Sequence, residues 1–233
     1  MRDRLGFEGE SEHLDSDNAE KLLQGADIIL DCTDNWITRC VINAFCLEYK
    51  IPWIFTSAIR DESMCATLTP KTPCFVCWNP APATPRSCRV EGISPRSTAM
   101  AAETQIAELE KLLKKTPGLA GMLQYTDTQN NVCLALPLKK NPQCPACVRK
   151  TFRIPKTKAA ILCGDGEFLF ELKRDVDLES LKSFRQKRFG DVLKIRWKQG
   201  EFVVFASGRV LCRGLEKKQA QAAFDLLKQK MEN

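Results

Sequence analysis

Apolar and polar positions change period early in the chain, and the change predicts a strand, a turn, a helix and a second strand. The apolar run at 26–32 is rich in β-branched residues and too short to span a membrane, which is typical of a buried strand. Apolar residues near helical spacing then predict a helix over 36–49. Two further strands are predicted at 51–55 and 64–68. This order is typical of a doubly wound α/β sheet, in which ligands bind beyond the carboxyl ends of the strands.

A second amphipathic segment predicts a long helix over 92–115, which Ser94 and Pro95 start. Six apolar side chains at helical spacing are predicted to form its buried face: Ala99, Ala102, Ile106, Leu109, Leu112 and Leu113. Residues 119–125 and 132–138 then alternate enough to predict two strands around a turn. Cys133 and Leu136, in the second of these strands, are most simply predicted to be core residues.

The chain changes character near residue 158, which predicts two domains. The basic residues 152–158 include a proline and predict a linker between a domain at 1–151 and a small α+β domain at 159–233. In the small domain, helices are predicted at 178–188 and 215–231. Its strands are predicted at 159–163, 167–172, 192–197, 201–206 and 210–213. Three side chains of its last helix are predicted to point inward: Phe224, Leu226 and Leu227.

Composition narrows the class of protein. The chain has 233 residues, 12 of them cysteine, and a formal net charge of +6. This charge is mild and no recognition motif accompanies it, so nucleic acid is not an expected partner. No apolar stretch reaches about 18 residues, and the N-terminus lacks the apolar core of a signal peptide. We therefore expect a cytoplasmic protein without a membrane segment, in which paired cysteines indicate metal binding or catalysis rather than disulfides.

Two Cys-x-x-Cys pairs stand far apart in the sequence, Cys74 with Cys77 and Cys144 with Cys147. Two residues between cysteines let both thiolates point at one ion, and four sulfurs suit tetrahedral zinc. Because four thiolates leave no open position for water, we expect a structural zinc site that joins distant parts of the fold. The alternatives are four buried free cysteines or, less favoured, a redox Cys-x-x-Cys.

Cys88 lies in a segment, 78–94, that contains three prolines and no apolar period, which predicts an exposed, extended loop. Arg86 and Arg89 flank this cysteine. Nearby guanidinium groups favour the thiolate and so raise its reactivity at neutral pH. From composition alone, a reactive Cys88 and an incidental exposed cysteine are equally favoured.

Asp34 and Asn35 stand between the first strand and its helix, where a polar side chain caps free backbone N–H groups. Asp34 at a strand end is also placed to meet a magnesium–nucleotide complex, although position alone favours the cap. Arg39 follows one helical turn later and is within reach of a phosphate or of the Asp34 carboxylate. The alternative for Arg39 is a surface ion pair.

Taken together, these motifs resemble the MoeB/ThiF family, the prokaryotic relatives of ubiquitin-activating enzymes. The resemblance covers roughly residues 15–150 and rests on D-C-T-D-N at 31–35, Arg39, Asn43, T-S-A at 56–58 and P-C-F-V-C at 73–77. It implies that Asp34 contacts the nucleotide or its metal while Asn35 caps the helix, and that the four cysteines hold zinc. It also implies a catalytic role for Cys88, because S-C-R-V-E-G is similar to the family's N-C-R-x-x-G around a sulfur-relay or thioester cysteine.

The expected fold is therefore α/β, a partial doubly wound (Rossmann-like) sheet with a zinc-bound crossover region, plus the small C-terminal α+β domain. The resemblance implies adenylation, with Mg-ATP, of the C-terminus of a ubiquitin-like sulfur-carrier protein. It also implies that the helix after Cys88 helps to form a dimer. A similar small domain ends some family members, which suggests partner docking by analogy.

One family motif is missing. Family members begin with a G-x-G-x-x-G turn whose backbone N–H groups cradle phosphates, and no such motif occurs in this sequence. We therefore expect the chain to start midway through the family's sheet, with a missing half or a partner chain, in a homodimer or heterodimer, supplying the glycine-rich loop. Two alternatives stay open: a non-catalytic zinc-stabilised scaffold that docks a carrier protein, and a decayed reading frame. Joint retention of Asp34, Arg39 and Cys88 favours the enzyme over the decayed frame.

Overall fold

The strands of the protein form two β-sheets that follow one another along the sequence. The computed structural model describes residues 9–10, 12–80, 88–153, 160–161, 167–172, 174–198 and 200–232. The first sheet has five strands, in spatial and sequence order β1 (Ile29–Leu30), β2 (Trp53–Ile59), β3 (Glu62–Leu68), β4 (Met122–Asp127) and β5 (Val132–Pro137). Its helices are α1 (Ala19–Leu23), α2 (Trp36–Tyr49), α3 (Phe75–Trp78), α4 (Cys88–Glu91) and α5 (Pro95–Leu113). The α/β class predicted from the sequence is confirmed.

Strands β1 and β2 are parallel, with Ile29 opposite Trp53, and α2 is the crossover between them. All other pairs of described strands in this sheet are antiparallel. Among the described strands of this sheet, the parallel strand–helix–strand connection that a doubly wound sheet repeats thus occurs once, in β1–α2–β2. This unit matters most for function, because the carboxyl end of a parallel strand is where α/β sheets bind ligands.

Helix α2 has the bounds that its apolar periodicity predicts. Asn35 is its N-cap, and the Asn35 side chain accepts a hydrogen bond of 2.8 Å from the backbone N–H of Thr38. Lys50 ends the helix in a left-handed conformation, with φ of 57°. Both ends of α2 are therefore fixed by local backbone chemistry.

Helices cover both faces of β2, because successive side chains of a strand point to opposite sides. On one face, the rings of Trp53 and Phe55 pack against Phe75 of α3, with centroids 5.9 and 5.6 Å apart. This cluster also takes in buried residues of α2. On the other face, Ile54 packs with Cys65 and with apolar residues of and near α5.

The predicted apolar face of α5 is wrong. Of the six predicted core side chains, Leu109 and Leu112 are half-buried. The other four are exposed: Ala99, Ala102, Ile106 and Leu113. The helix instead buries Ser97, Ala101, Gln105 and Glu108. The buried polar side chains find hydrogen-bond partners on neighbouring segments, which removes the cost of burying them.

Glu108 is one of these buried anchors, with a side chain only 1% exposed. Its Oε2 accepts hydrogen bonds from Thr67 Oγ1 of β3 at 2.9 Å and from the Leu119 N–H at 2.8 Å. Its Oε1 accepts from Lys111 Nζ at 2.9 Å. Burial alone raises the pKa of Glu108, but the hydrogen bonds from Lys111, Leu119 and Thr67 outweigh burial and hold the pKa below its ordinary value.

Strand β5 is also a correction, because Cys133 and Leu136 are exposed rather than buried. All six residues of β5 are exposed. The strand pairs only with β4 among the described residues and forms an edge of the sheet, so neither of its faces is covered there. Alternation along the sequence predicted the strand correctly but could not reveal that its apolar face is open.

The second sheet has six strands, all paired antiparallel, in the order β6-β7-β11-β10-β9-β8. They are β6 (Ala160–Ile161), β7 (Glu167–Glu171), β8 (Gln186–Phe189), β9 (Val192–Trp197), β10 (Gly200–Phe205) and β11 (Arg209–Arg213). Helix α6 (Lys217–Glu232) packs onto one face, where Phe224 stacks on Phe170 with centroids 4.2 Å apart. The linker residues 154–158 and part of the first predicted strand lie outside the described residues.

Two predictions for this part are wrong. The segment 178–188 is a short 3-10 helix, Leu178–Leu181, followed by strand β8. Leu178 and Leu181 are both buried, so their helical spacing is satisfied by a single turn. Leu226 is 53% exposed, whereas Phe224 and Leu227 are buried as predicted.

Gly208 provides a test of the second sheet. It has a φ of +83°, and a Cβ built there would lie 2.1 Å from the Arg174 carbonyl oxygen. We expect Gly208→Ala to lower the free energy of unfolding by at least about 2 kcal/mol. Gly190→Ala is the matched control, because Gly190 also has a positive φ of +57° but no atom within 4 Å of its Cβ position. The control should lose only about 1 kcal/mol in urea denaturation; equal losses would contradict the steric argument.

Glu108 gives a prediction about pH. Replacing it with glutamine, Glu108→Gln, removes the charge and should cost about 2 kcal/mol of unfolding free energy at neutral pH. Because the folded-state pKa is lowered, this stabilisation is present above the unfolded-state pKa of about 4.3 and is lost as the pH falls through the folded-state value. Urea unfolding over a pH series should therefore show the difference between wild type and variant shrinking below about pH 4. A difference that stays constant into acid would mean that the Glu108 charge contributes nothing.

Candidate functional site

The site begins where β1 ends, in the turn 31–35. The backbone N–H of Asp31 donates to the Ile54 carbonyl at 3.0 Å, which continues the β1–β2 ladder by one residue. Beyond that bond the chain leaves the sheet and enters α2 at Trp36. The turn is therefore placed at the carboxyl end of a parallel strand, as the sequence predicts.

A buried ion pair holds the turn from inside. The Asp31 carboxylate is fully buried and accepts from Arg39 Nε at 3.0 Å and from the N–H and hydroxyl of Thr33 at 2.8 and 2.7 Å. The Arg39 guanidinium also donates to the carbonyls of Thr33 and, at 2.8 Å, Thr56, and it lies 4.8 Å from the centroid of the Phe55 ring. Arg39 thus pairs with Asp31, whereas the sequence had suggested a phosphate, Asp34 or a surface ion pair.

Burial dominates the electrostatics of Asp31. It raises the pKa of the carboxyl, while the Arg39 guanidinium and the hydrogen bonds from Thr33 oppose it without cancelling it. The carboxylate is nevertheless surrounded by donors, because both of its oxygens have partners. The hydrogen bonds of this carboxylate therefore hold the turn in its conformation.

Asp34 and Asn35 have separate positions. Asn35 provides the cap of α2, as described above, and its Nδ2 lies 3.4 Å from Asp34 Oδ1. Asp34 is exposed. Its carboxylate is therefore open to solvent at the strand end, in a position to meet a ligand or a bound cation.

Three residues that build this turn were not predicted as site residues: Asp31 and Thr56, which were named only as parts of motifs, and Gln105. The carbonyl oxygen of Asp31 accepts from Thr56 Oγ1 at 2.6 Å and from Gln105 Nε2 at 3.0 Å. Asp31 carried a signal, because it is a charged residue at the end of an otherwise apolar run. Gln105 carried a weaker one, since it lies four residues after Ala101 on the helix face that the structure buries.

Cys88 lies against β2 at the start of α4, so the prediction of an extended loop is wrong for Cys88–Glu91. Its Sγ is 3.5 Å from the Ala58 carbonyl oxygen, two residues further along β2 than Thr56. Backbone bonds between Arg60 and residues 92 and 94 fix the segment that follows. Arg86 lies outside the described residues, as does the side chain of Arg89, so the proposed activation of the thiol stays a prediction.

The four paired cysteines meet in space, as the sequence predicts. Their sulfurs all lie within 4.8 Å of one another. Cys74 Sγ is 3.8 Å from Cys77 Sγ and 3.7 Å from Cys144 Sγ, and Cys77 Sγ is 3.4 Å from Cys147 Sγ. Four sulfurs about 2.3 Å from a tetrahedral zinc ion are about 3.8 Å apart, so this cluster has the dimensions of a metal site.

The cysteine cluster lies in the hydrophobic core of the first sheet. Cys74 and Cys144 are buried in the same cluster as α2 and β2. The backbone N–H of Phe75 donates to Asn43 Oδ1 at 2.9 Å, which ties the first cysteine pair to α2. Without a metal, burial raises the pKa of the Cys74 thiol, and it raises that of Cys147 to about 11. A metal would bind as the thiols lose their protons.

Comparison with known proteins identifies the family. The model of the ThiF family matches residues 6–146, more than half of the chain. The chain therefore belongs to the ThiF family, and the resemblance drawn from the D-C-T-D-N motif is confirmed.

Two relatives agree with this assignment by sequence, and one solved structure aligns with part of the chain. The chain is 29% identical over 140 residues to the SAMP-activating enzyme E1 of Haloferax volcanii, covering 58% of this chain and 51% of that one. It is 27% identical over 216 residues to the sulfur carrier protein ThiS adenylyltransferase of Bacillus subtilis, covering 85% and 64%. A solved structure of MccB from E. coli with ATP aligns with a TM-score of 0.49 at 17% identity, over 58% of this chain and 44% of that chain. The chain thus spans less than two thirds of the length of the relatives it matches.

Among the described residues, no helix combines the length and the apolar character that a membrane crossing requires.

Metal content tests the cysteine cluster. We expect freshly purified, reduced protein to contain about one zinc ion per chain by elemental analysis. Cys147→Ser should lower zinc retention during dialysis against a chelator, because it replaces one of four thiolate ligands. Cys133→Ser is the control, since Cys133 is an exposed cysteine outside the cluster. Absence of zinc from the wild-type protein, or equal zinc retention by both variants, would contradict a zinc site at the four cysteines.

Proposed function

We propose that this chain takes part in ATP-dependent adenylation of the C-terminal carboxylate of a ubiquitin-like sulfur-carrier protein. In this reaction a carboxylate oxygen of the carrier attacks the α-phosphorus of ATP, an acyl-adenylate forms and pyrophosphate leaves. One observation carries the proposal. Asn35 caps the helix, and the Asp34 carboxylate is therefore left exposed at the strand end. Two of its relatives, a SAMP-activating enzyme and a ThiS adenylyltransferase, support it.

The residues of the turn serve the nucleotide in different ways. Asp34 binds the nucleotide or its Mg²⁺, because an exposed carboxylate is a ligand that magnesium prefers. Asn35 fixes the entry into α2 beside it. Arg39 was predicted to bind the cofactor, and its contacts with Asp31, Thr33 and Thr56 support a role in holding the turn that binds it.

Cys88 is the proposed acceptor of the activated carrier. Its thiolate attacks the carbonyl carbon of the acyl-adenylate, a thioester forms and AMP leaves. On the other route, to a mixed disulfide, Cys88 must already carry a sulfane sulfur as a persulfide, whose terminal sulfur attacks the same carbon as AMP leaves. The contact of Cys88 with Ala58, two residues beyond Thr56 on the same strand, supports this role. Structural zinc at the four cysteines would fix the crossover region and supply no catalysis.

The phosphate-binding loop has no counterpart among the glycines of this sequence. We propose that the partner chain of a heterodimer supplies it, or that a missing half supplies it, in a homodimer whose chains each include that half. Exposed apolar side chains on α5, among them Ile106 at 50% and Leu113 at 66%, support contact with another chain.

A scaffold function is the alternative. The second sheet has its own hydrophobic core, which supports the proposed division into 1–151, linker 152–158 and 159–233. A non-catalytic, zinc-stabilised subunit could dock the carrier through this C-terminal domain without binding ATP. The missing glycine-rich loop favours this alternative over unaided catalysis.

Calorimetry with Mg-ATP separates the two functions. We expect the zinc-loaded chain to bind Mg-ATP and Asp34→Ala to weaken binding at least tenfold, the loss of about one charge-assisted contact. Asp27→Ala is the control, because Asp27 is an exposed aspartate that precedes β1 rather than following it. If folded, zinc-loaded wild type does not bind Mg-ATP, this chain is a half-site or a scaffold, and adenylation by this chain alone is overturned. If both variants bind like wild type, Asp34 has no role in the nucleotide site.

A further inference from the structure

Gln105 is a buried amide on α5 that reaches the turn from the opposite side to Arg39. Its side chain is among the buried polar groups of the chain, and the residue is only 5% exposed. Nε2 donates to the carbonyl of Asp31 at 3.0 Å and to that of Ile54 at 3.1 Å. Oε1 lies 3.6 Å from Sγ of Cys32, the residue that follows Asp31. All of the polar atoms of this side chain are therefore directed at the end of the β1–β2 pair.

The two carbonyls lie where the parallel β1–β2 ladder ends: Asp31 directly follows β1, and Ile54 is near the start of β2. Asp31 donates its N–H to Ile54, and beyond this bond the ladder stops. Neighbouring strands lie about 4.8 Å apart, so a single amide nitrogen with two hydrogens can bond to both carbonyls at once. Gln105 thereby joins the end of β1 to Ile54 of β2 at the point where the turn 31–35 begins.

We infer that Gln105 is a positioning residue for the nucleotide site, an assignment that rests on the proposed function. It acts through the backbone of Asp31 and not through contact with a ligand. The Asp31 carbonyl is fixed by Gln105 and Thr56, while the Asp31 carboxylate is fixed by Arg39 and Thr33. Because both the carbonyl and the carboxylate of Asp31 are held, the position of Asp34, three residues later in the turn, is fixed as well.

A second anchor on the same helix shows that the role is specific. Glu108 lies one turn after Gln105 and is also buried and hydrogen-bonded. Its bonds go to Thr67 of β3 and to the N–H of Leu119, and none of them goes to the turn. Both residues attach α5 to the rest of the protein, but only Gln105 attaches it to the end of β1.

A matched pair of variants tests the inference. Gln105→Met and Glu108→Met each replace a buried polar side chain of α5 with an unbranched apolar one of similar length. Both should be less stable than wild type, since each leaves buried hydrogen-bonding groups without a partner. Only Gln105→Met should speed amide hydrogen exchange at Thr33, whose N–H donates to Asp31, relative to the amides of β3. Only Gln105→Met should also weaken Mg-ATP binding in calorimetry, by about tenfold.

The two measurements keep the inference distinct from the proposed function. Equal Thr33 exchange in Gln105→Met and Glu108→Met would overturn the positioning role, because Gln105 would then act only on global stability. Faster Thr33 exchange with unchanged Mg-ATP affinity would also overturn it, since the turn would then not position the nucleotide site. If wild type itself binds no Mg-ATP, the proposed function fails for this chain and so does the assignment to a nucleotide site, whereas the exchange data still report whether Gln105 holds the turn.

Discussion

The buried pair of Asp31 and Arg39 is the constraint on which the site depends. An ion pair inside a protein contributes little net stability, because removing two charges from water costs about as much as their attraction returns. Its importance here is geometric: the guanidinium bonds to one carboxylate and two carbonyls, so strand β1, the turn and strand β2 share one partner. Losing either member would leave an uncompensated buried charge, which typically costs about 3–5 kcal/mol.

Helix α2 carries this constraint to the cysteine cluster. Near its start, Trp36 Nε1 donates to the Asn79 carbonyl at 3.1 Å, just after the first cysteine pair, and the Trp36 ring meets Phe152 edge-on. In its middle, Asn43 accepts from the Phe75 N–H within the same pair. The turn at the head of α2 and the four sulfurs are therefore attached to one rigid element. A metal in the cluster would act on the turn by fixing that helix.

Local signals predicted the parts of the site that depend on local chemistry. The bounds of α2, the capping role of Asn35 and the meeting of four cysteines follow from apolar spacing, helix-end hydrogen bonding and ligand number. Long-range pairing decided the rest. The buried face of α5 is polar because Gln105 and Glu108 find partners on distant strands, and residues 186–189 extend because they pair with β9. Neither partner can be seen in a window of sequence, so apolar periodicity misplaced both segments.

The cysteine cluster also orders events in time. Its two halves are separated by 70 residues: β2 and β3 precede the first pair, and α5, β4 and β5 lie between the two pairs. During synthesis the first pair of thiols must wait for the second, while the chain between them grows and folds. A metal held by all four cysteines would close one long loop at a low entropic cost, because the cost of closure rises only with the logarithm of loop length. Until then, Cys74 and Cys77 would be an unligated dithiol. The nascent chain would therefore be more readily oxidised at this pair than the metal-bound protein.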